Sequence, residues 1–196
     1  FSKDGSLAKA TAVNSEKTMT LNLSNTDGKT KIELTGKPYK LPFEGDIEFD
    51  SFSGVGTLAA GELVFSEYDA GVAGGSLTGN ARLRWGENWS LEGEINAREV
   101  DAGRLGKLLV SSGRLAGKGA FAMRAPNPEK LQSTLRIEGN FSVQKGTLGG
   151  VDMTRVLQGQ SASGGSTLFS EMSGNVLYEA GRAQVRQLRI SAGLLN

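Results

Sequence analysis

Cysteine and histidine are both missing from this chain of 196 residues. Their absence removes thiol nucleophiles, imidazole general bases and the usual zinc ligands together, and most hydrolase templates with them. No disulfide framework exists either, so the cysteine count leaves the redox compartment open. No apolar run approaches the roughly 18 residues that a membrane span requires. The first residue is Phe1 rather than a methionine, and the sequence reads as an excised soluble segment whose anchor or targeting signal would lie outside it. A strong charge of one sign is also lacking. The 22 Lys plus Arg stand against 21 Asp plus Glu, a formal charge of +1, without the one-sided basic balance of a nucleic-acid binder, and no nucleic-acid partner is expected. The balance shifts mildly along the chain: 10 cationic and 14 anionic residues up to Arg98, 12 and 7 after it.

What is present is glycine and alternation. The length suits one all-β domain, 1–196. The 28 glycines, about twice the average usage of roughly 7%, are spread between short alternating runs instead of forming a linker. Met19, Leu21 and Leu23 alternate with Thr18, Thr20 and Asn22, and Ile32 and Leu34 alternate with Lys31, Glu33 and Thr35. The intervening Asn25, Thr26, Asp27 and Gly28 predict a hairpin turn. Leu83 and Trp85 alternate with Arg82 and Arg84, and across Gly86 to Asn88 the run Trp89, Leu91 and Ile95 alternates with Ser90, Glu92 and Glu94, a second hairpin. The longest run sets Leu135, Ile137, Gly139, Phe141 and Val143 against Arg136, Glu138, Asn140, Ser142 and Gln144, a period of two that a helix does not produce.

Three short helices are predicted from capping residues, whose side-chain oxygens can accept an orphan backbone N–H. Asp101 would cap a turn carrying Leu105, Leu108 and Leu109. Asn127 before Pro128 fits a helix start. Asp152 would open a turn carrying Met153, Val156 and Leu157, with Gly159 as its stop. A short echo also recurs, Gly75-Ser-Leu-Thr-Gly79, Gly113-Arg-Leu-Ala-Gly117 and Gly146-Thr-Leu-Gly-Gly150, each beside a strand-like run. It suggests repeated strand pairs in one extended sheet.

A long sheet with one oily side cannot leave that side flat against water, because burial of apolar area is worth about 25 cal/mol per Å². Three short helices are too few to cover about ten strands or more. The sheet must pack in two layers with a dry core, or stay partly open as a trough lined by aliphatic side chains, a natural site for acyl chains. Periodicity leaves both outcomes open.

The stretch Tyr68-Asp-Ala-Gly71-Val-Ala-Gly74-Gly75-Ser-Leu-Thr-Gly79-Asn-Ala-Arg-Leu-Arg-Trp85, continuing through Trp89, Leu91, Gly93 and Val100-Asp101, resembles the C-terminal region of AsmA-like proteins. So do Gly139-Asn-Phe141-Ser-Val143-Gln-Lys-Gly146-Thr-Leu148-Gly-Gly-Val151-Asp152 and Gly164-Gly165-Ser-Thr167-Leu-Phe169, followed by Gly174, Tyr178 and Gly181. With Tyr39-Lys-Leu41-Pro42, these blocks run from about residue 39 onward, while the first 38 residues match only as generic alternating strands. The resemblance implies an all-β, mostly antiparallel curved sheet forming an open, β-taco-like groove with a few short helices. It implies a Gram-negative envelope protein fixed in the inner membrane through parts outside this chain and exposed in the periplasm. The family is associated with moving phospholipid to the outer membrane along such a groove, so the implied partners are phospholipid or another lipid, with no enzyme activity and no cofactor. The family's N-terminal membrane helix has no counterpart in this sequence.

Under that reading Leu83, Trp85, Leu91, Ile95, Leu115, Phe121, Met123, Leu135, Ile137, Phe141 and Val143 face inward and contact acyl chains; the plain alternative is an ordinary core. Asp46, Glu48 and Asp50 share one strand face, but positions two apart on a strand lie roughly 7 Å from each other, too far for a tight calcium shell, so a solvated face is expected and no metal site. Arg182, Arg186 and Arg189 could meet anionic headgroups or simply solvent. Glu92 and Glu94 sit on the polar side of a hairpin with nothing to tune an acid, so no catalytic residue is expected. Two other functions fit the residues: a closed sandwich that docks or spaces other domains, and a glycan-binding β-domain using Trp85 and Trp89. With Leu188, Ile190, Leu194 and Leu195 near the end, an unpaired sheet edge is expected, with neighbouring sheet continuing in the parent protein and this fragment able to form a homodimer by edge pairing.

Overall fold

A computed structural model describes residues 9–26, 29–40, 48–105, 110–152, 155, 158–159, 161 and 163–191. The period-two pattern forms twelve strands: β1 (Lys9–Val13), β2 (Met19–Thr26), β3 (Lys29–Gly36), β4 (Tyr39–Lys40), β5 (Glu48–Ala59), β6 (Glu62–Val72), β7 (Gly75–Arg84), β8 (Trp89–Asp101), β9 (Val110–Ala125), β10 (Arg136–Val151), β11 (Ser163–Glu179) and β12 (Arg182–Ser191). Eleven of them hydrogen-bond in chain order, each antiparallel to the next, and the short β4 pairs with β5 just beyond the end of β3. Both expected hairpins form. Thr26 pairs with Lys29 at the β2–β3 turn, whose Asp27 and Gly28 lie outside the described residues. Arg84 pairs with Ser90 at the β7–β8 turn.

The sheet does not close. Among the described residues β1 and β12 are each hydrogen-bonded on one side only, and extensive strand contacts run only between sheet neighbours. The two-layer sandwich that alternation also allowed is therefore not what the chain builds. Among the described residues, a meander of consecutive hairpins brings no second layer across the oily face.

Two tight connections shape the strand ends. Ala73-Gly74 and Ala180-Gly181 are two-residue turns with positive φ at both positions (48° and 75°; 50° and 74°), the arrangement whose twist matches that of the flanking strands. Bulges interrupt the ladders elsewhere. Glu99, Lys145 and Gln187, all with φ above 50°, sit where the β8–β9, β9–β10 and β11–β12 registers shift. Each extra residue bends its strand and increases local twist.

The first two expected helices become 3-10 turns, while Arg155, in the third, is α-helical. Asp101 does cap the first, Ala102–Arg104, accepting from the Gly103 N–H at 3.0 Å. Asn127 caps the second, Pro128–Lys130, accepting from the Lys130 N–H at 3.2 Å, and a third turn follows at Gln132–Thr134. Strand-to-strand connections this short do not repay the cost of nucleating an α-helix, and i→i+3 bonding suffices. Asp152 Oδ1 accepts from the Arg155 N–H at 3.2 Å, as a cap would. Leu108, Leu109, Met153, Val156 and Leu157 lie outside the described residues.

Two clusters of buried apolar residues gather at one end of the strands. One cluster joins Ala102, Val110, Val143, Leu148, Phe169 and Met172; the other joins Val72, Ala73 and Val100; Leu115 packs against both. The leucines at the centre of the repeated pentapeptide, Leu77, Leu115 and Leu148, all reach these clusters. The echo thus marks the apolar plug at the end carrying the β6–β7 turn.

Candidate functional site

Residues paired across antiparallel strands share a face, so the register assigns every side chain. One row runs Leu58, Leu63, Leu83, Leu91, Met123 across β5 to β9. The next runs Phe65, Ala81, Gly93, Phe121, Ile137, Tyr178 from β6 to β11. A third contains Gly79, Ile95, Gly119, Gly139, Val176 and Val185, and a fourth Leu77, Ala97, Gly117, Phe141 and Gly174. Nearest the plug come Val100, Leu115, Val143, Met172 and Ile190. Trp89 pairs with Ala125 on the same side, and Trp85 stacks on it with ring centroids 6.1 Å apart. Leu135 stands one residue before β10 and continues its alternation. All eleven residues singled out from the sequence therefore occupy one face of one sheet.

They do not share one environment. Val143 is 1% exposed inside the larger cluster, so the expectation that it touches a guest is corrected: Phe169, Met172 and their neighbours already occupy its surface. Leu115 and Phe141 are half-buried against the same cluster. The other eight, Leu83, Trp85, Leu91, Ile95, Phe121, Met123, Leu135 and Ile137, belong to neither buried cluster and keep part of their surface open. The face is a trough, sealed by its own atoms at one end and partly open along much of the rest, with Ile32 buried in β3 and Ala125 and Leu131 buried at the far end.

Rings lie low on this face because glycines on adjacent strands leave room for them. A Cβ on Gly93 would meet the Phe121 ring at 2.8 Å, and one on Gly54 would meet the Phe65 ring at 3.0 Å. The Tyr68 side chain extends past Gly79 on β7 and its hydroxyl donates to the Glu94 carbonyl on β8 at 2.9 Å. Burial pushes the Tyr68 phenol up to about 12, since a buried phenolate would lose its hydration.

The opposite face is charged. Glu62 Oε2 lies 2.9 Å from Arg84 Nε and 3.5 Å from Arg82 Nε, and Arg84 reaches Glu92 at 3.3 Å. Arg136 bridges Glu138 at 3.1 Å and Glu179 at 3.4 Å; the hydrogen bond to Glu138 and the charge of Glu179 hold its guanidinium protonated beyond its ordinary range. Glu92 is thus tied to Arg84, and Glu94 accepts from Asn80 Nδ2 at 3.0 Å, so the two carboxylates are exposed ion-pair and hydrogen-bond partners. Glu48 and Asp50 are exposed, Asp46 lies outside the described residues, and no cluster suited to a metal ion occurs among the described residues. Arg182, Arg186 and Arg189 are exposed and project from this charged face of β12.

A depression of about 750 Å³ lies at the β7–β8 turn, lined by Arg84, Glu92, Arg124, Arg136 and Glu179. Its cations and acids neutralise one another, and it belongs mainly to the charged face. The open apolar face presents the unusual chemistry: aliphatic and aromatic side chains side by side, with no covering layer among the described residues. That makes it the candidate site, and the half-buried state of its residues is the signal that alternation could not carry. No helix among the described residues is long and apolar enough to cross a membrane. Comparison with known proteins finds no matching family, no matching curated protein and no matching solved structure.

Proposed function

We propose that the apolar trough holds the acyl chains of lipid, and that the chain is one stretch of wall in a bridge-like lipid-transfer protein of the AsmA-like kind. In this reading the parent protein is anchored in the inner membrane of a Gram-negative envelope through parts outside this chain. It lies in the periplasm and passes phospholipid between inner and outer membrane, sustaining outer-membrane homeostasis. The resemblance of residues 39 onward to AsmA-like proteins supports the envelope setting.

One observation carries the acyl-chain reading. Leu83, Leu91 and Met123 form a continuous row beside Phe121 and Ile137 on an uncovered face, whereas monomeric proteins seldom leave large contiguous apolar patches bare without a use for them. A lipid tail laid along the rows would recover about 25 cal/mol for each Å² it covers. It needs no directed polar partner, which fits a face that offers few.

The test is organic extraction of the purified chain, with native mass spectrometry of the folded protein and of an Ile137→Arg variant. Co-purifying phospholipid that is lost in the folded variant supports the reading. Protein free of lipid, and unable to take up fluorescent phospholipid from vesicles, removes it. A structural docking module or a glycan-binding domain would then be preferred, the second if soluble oligosaccharide shifts the fluorescence of Trp85 or Trp89.

A further inference from the structure

We infer that the depression at the β7–β8 turn binds a small zwitterion, a phosphate joined by a short linker to an ammonium group, with Arg124 meeting the phosphate and Glu87 the ammonium. This goes beyond the lipid reading, because the depression lies mainly on the charged face and its ligand needs no acyl chain.

Short side chains set among long ones shape the depression. On the charged face one row runs Arg84, Ser90, Arg124 across β7, β8 and β9, and the next runs Glu92, Ala122, Arg136, Glu179 from β8 to β11. Ser90 and Ala122 stand low between the flanking guanidiniums and carboxylates, and Trp85, Glu87 and Asn88 of the β7–β8 connection complete the wall of a space of about 750 Å³. Thr134 Oγ1 accepts the Arg124 backbone N–H at 3.0 Å and so holds the end of β9 that carries this guanidinium.

Six charged residues line that space, and four of them cancel in pairs: Arg84 bridges Glu92 at 3.3 Å, and Arg136 bridges Glu179 at 3.4 Å. Arg124 and Glu87 are left over. Among the described residues neither side chain has a hydrogen bond or an ion pair, so the two opposite charges share one wall without bridging each other. An anion alone would face Glu87, Glu92 and Glu179, and a cation alone would face three arginines; a ligand carrying both signs meets a complementary charge at each end. The donors assign the anionic end. Ser90 stands opposite both Arg84 and Arg124 on the neighbouring strands, which lie about 4.8 Å to either side, so a phosphate laid over its hydroxyl is within reach of guanidiniums from two directions, the contact their forked donors suit. The cationic end has the Glu87 carboxylate and the Trp85 ring, an aromatic surface that attracts ammonium.

The experiment is an NMR titration of the folded chain with glycerophosphoethanolamine and, separately, with its halves glycerophosphate and ethanolamine. The zwitterion is expected to bind about tenfold more tightly than either half, since each half leaves one charge-assisted contact unmade, and to shift the resonances of Glu87, Ser90 and Arg124. Arg124→Ala should weaken it about tenfold, and Glu87→Gln should remove its advantage over glycerophosphate without weakening glycerophosphate itself. Both residues are exposed, and circular dichroism checks that the variants fold. Equal binding of the zwitterion and glycerophosphate to the parent, no binding of any probe, or a folded Arg124→Ala variant that binds like the parent overturns the proposal. Dihexanoyl phosphatidylethanolamine separates the two sources of such a group: tighter binding than the tail-free probe, with shifts spreading to Leu83 and Leu91, makes it a lipid headgroup, and equal binding makes it a free phosphodiester. Because glycerophosphoethanolamine has no tails, its failure would leave the trough reading intact, and a lipid-free trough would leave this site standing.

Discussion

The Tyr68 hydroxyl reaches from β6 past β7 and donates to the backbone carbonyl of Glu94 on β8, at 2.9 Å. The bond ties three strands together across the trough floor, and it can pass only because position 79 of the intervening strand has no side chain.

Gly79→Ala is therefore expected to destabilise the fold by about 1–3 kcal/mol, the usual cost of overpacking. Its Cβ would collide with the Glu94 carbonyl and stand 2.9 Å from Tyr68 Oη. Urea unfolding of the variant measures this; a midpoint equal to that of the parent would show that the strands part without cost.

Tyr68→Phe removes the same bond while leaving the ring in place, and should cost about 1 kcal/mol at neutral pH. Its alkaline behaviour is the sharper readout. The phenol titrates near 10 when unfolded and about 12 when folded. The folded state thus favours the protonated form, whose contribution is complete below pH 10 and declines as pH rises through 12. The parent should lose stability over that window and the Phe variant should lose less, as followed by thermal melts at stepped pH.

Apolar residues of the plug and of the trough should respond differently to truncation. Phe169 is 4% exposed in the larger cluster, and Phe169→Ala should cost about 3–5 kcal/mol because it leaves a cavity. Leu83 is only partly covered, and Leu83→Ala should cost about 1 kcal/mol. Equal losses in denaturant titrations would mean that the trough is as tightly packed as the plug.

The charged face should prove nearly neutral in stability. Arg84→Ala breaks contacts to Glu62 and Glu92, but these side chains are about a third to a half exposed, so the loss should stay below about 1 kcal/mol and shrink further in salt. A larger effect in thermal melts at two salt concentrations would point to a cooperative network.

Much of this architecture could be read along the chain. Leu135 to Gln144 announced β10 through strict alternation, and Asp101 and Asn127 announced their caps, because both signals are local. Other features stayed hidden. Ala73 and Ala180 begin left-handed turns without the Asn or Asp that usually marks them, and Gln187 looks like one more strand residue until its bulge is seen. Val143 and Ile137 are indistinguishable in the pattern, since both are β-branched residues on the same face of the same strand. Only the cluster around Phe169 and Met172 makes the first a buried plug residue.

By itself the sequence determined that the chain would be built of strands with one apolar and one charged face, and which residues of a strand would share each face, because a period of two follows from the geometry of a single extended strand. Whether that sheet closes and where its own atoms seal the apolar face were decided by the tertiary structure alone. Those outcomes depend on which distant strands meet, and among the described residues β12 meets β11 and not β1.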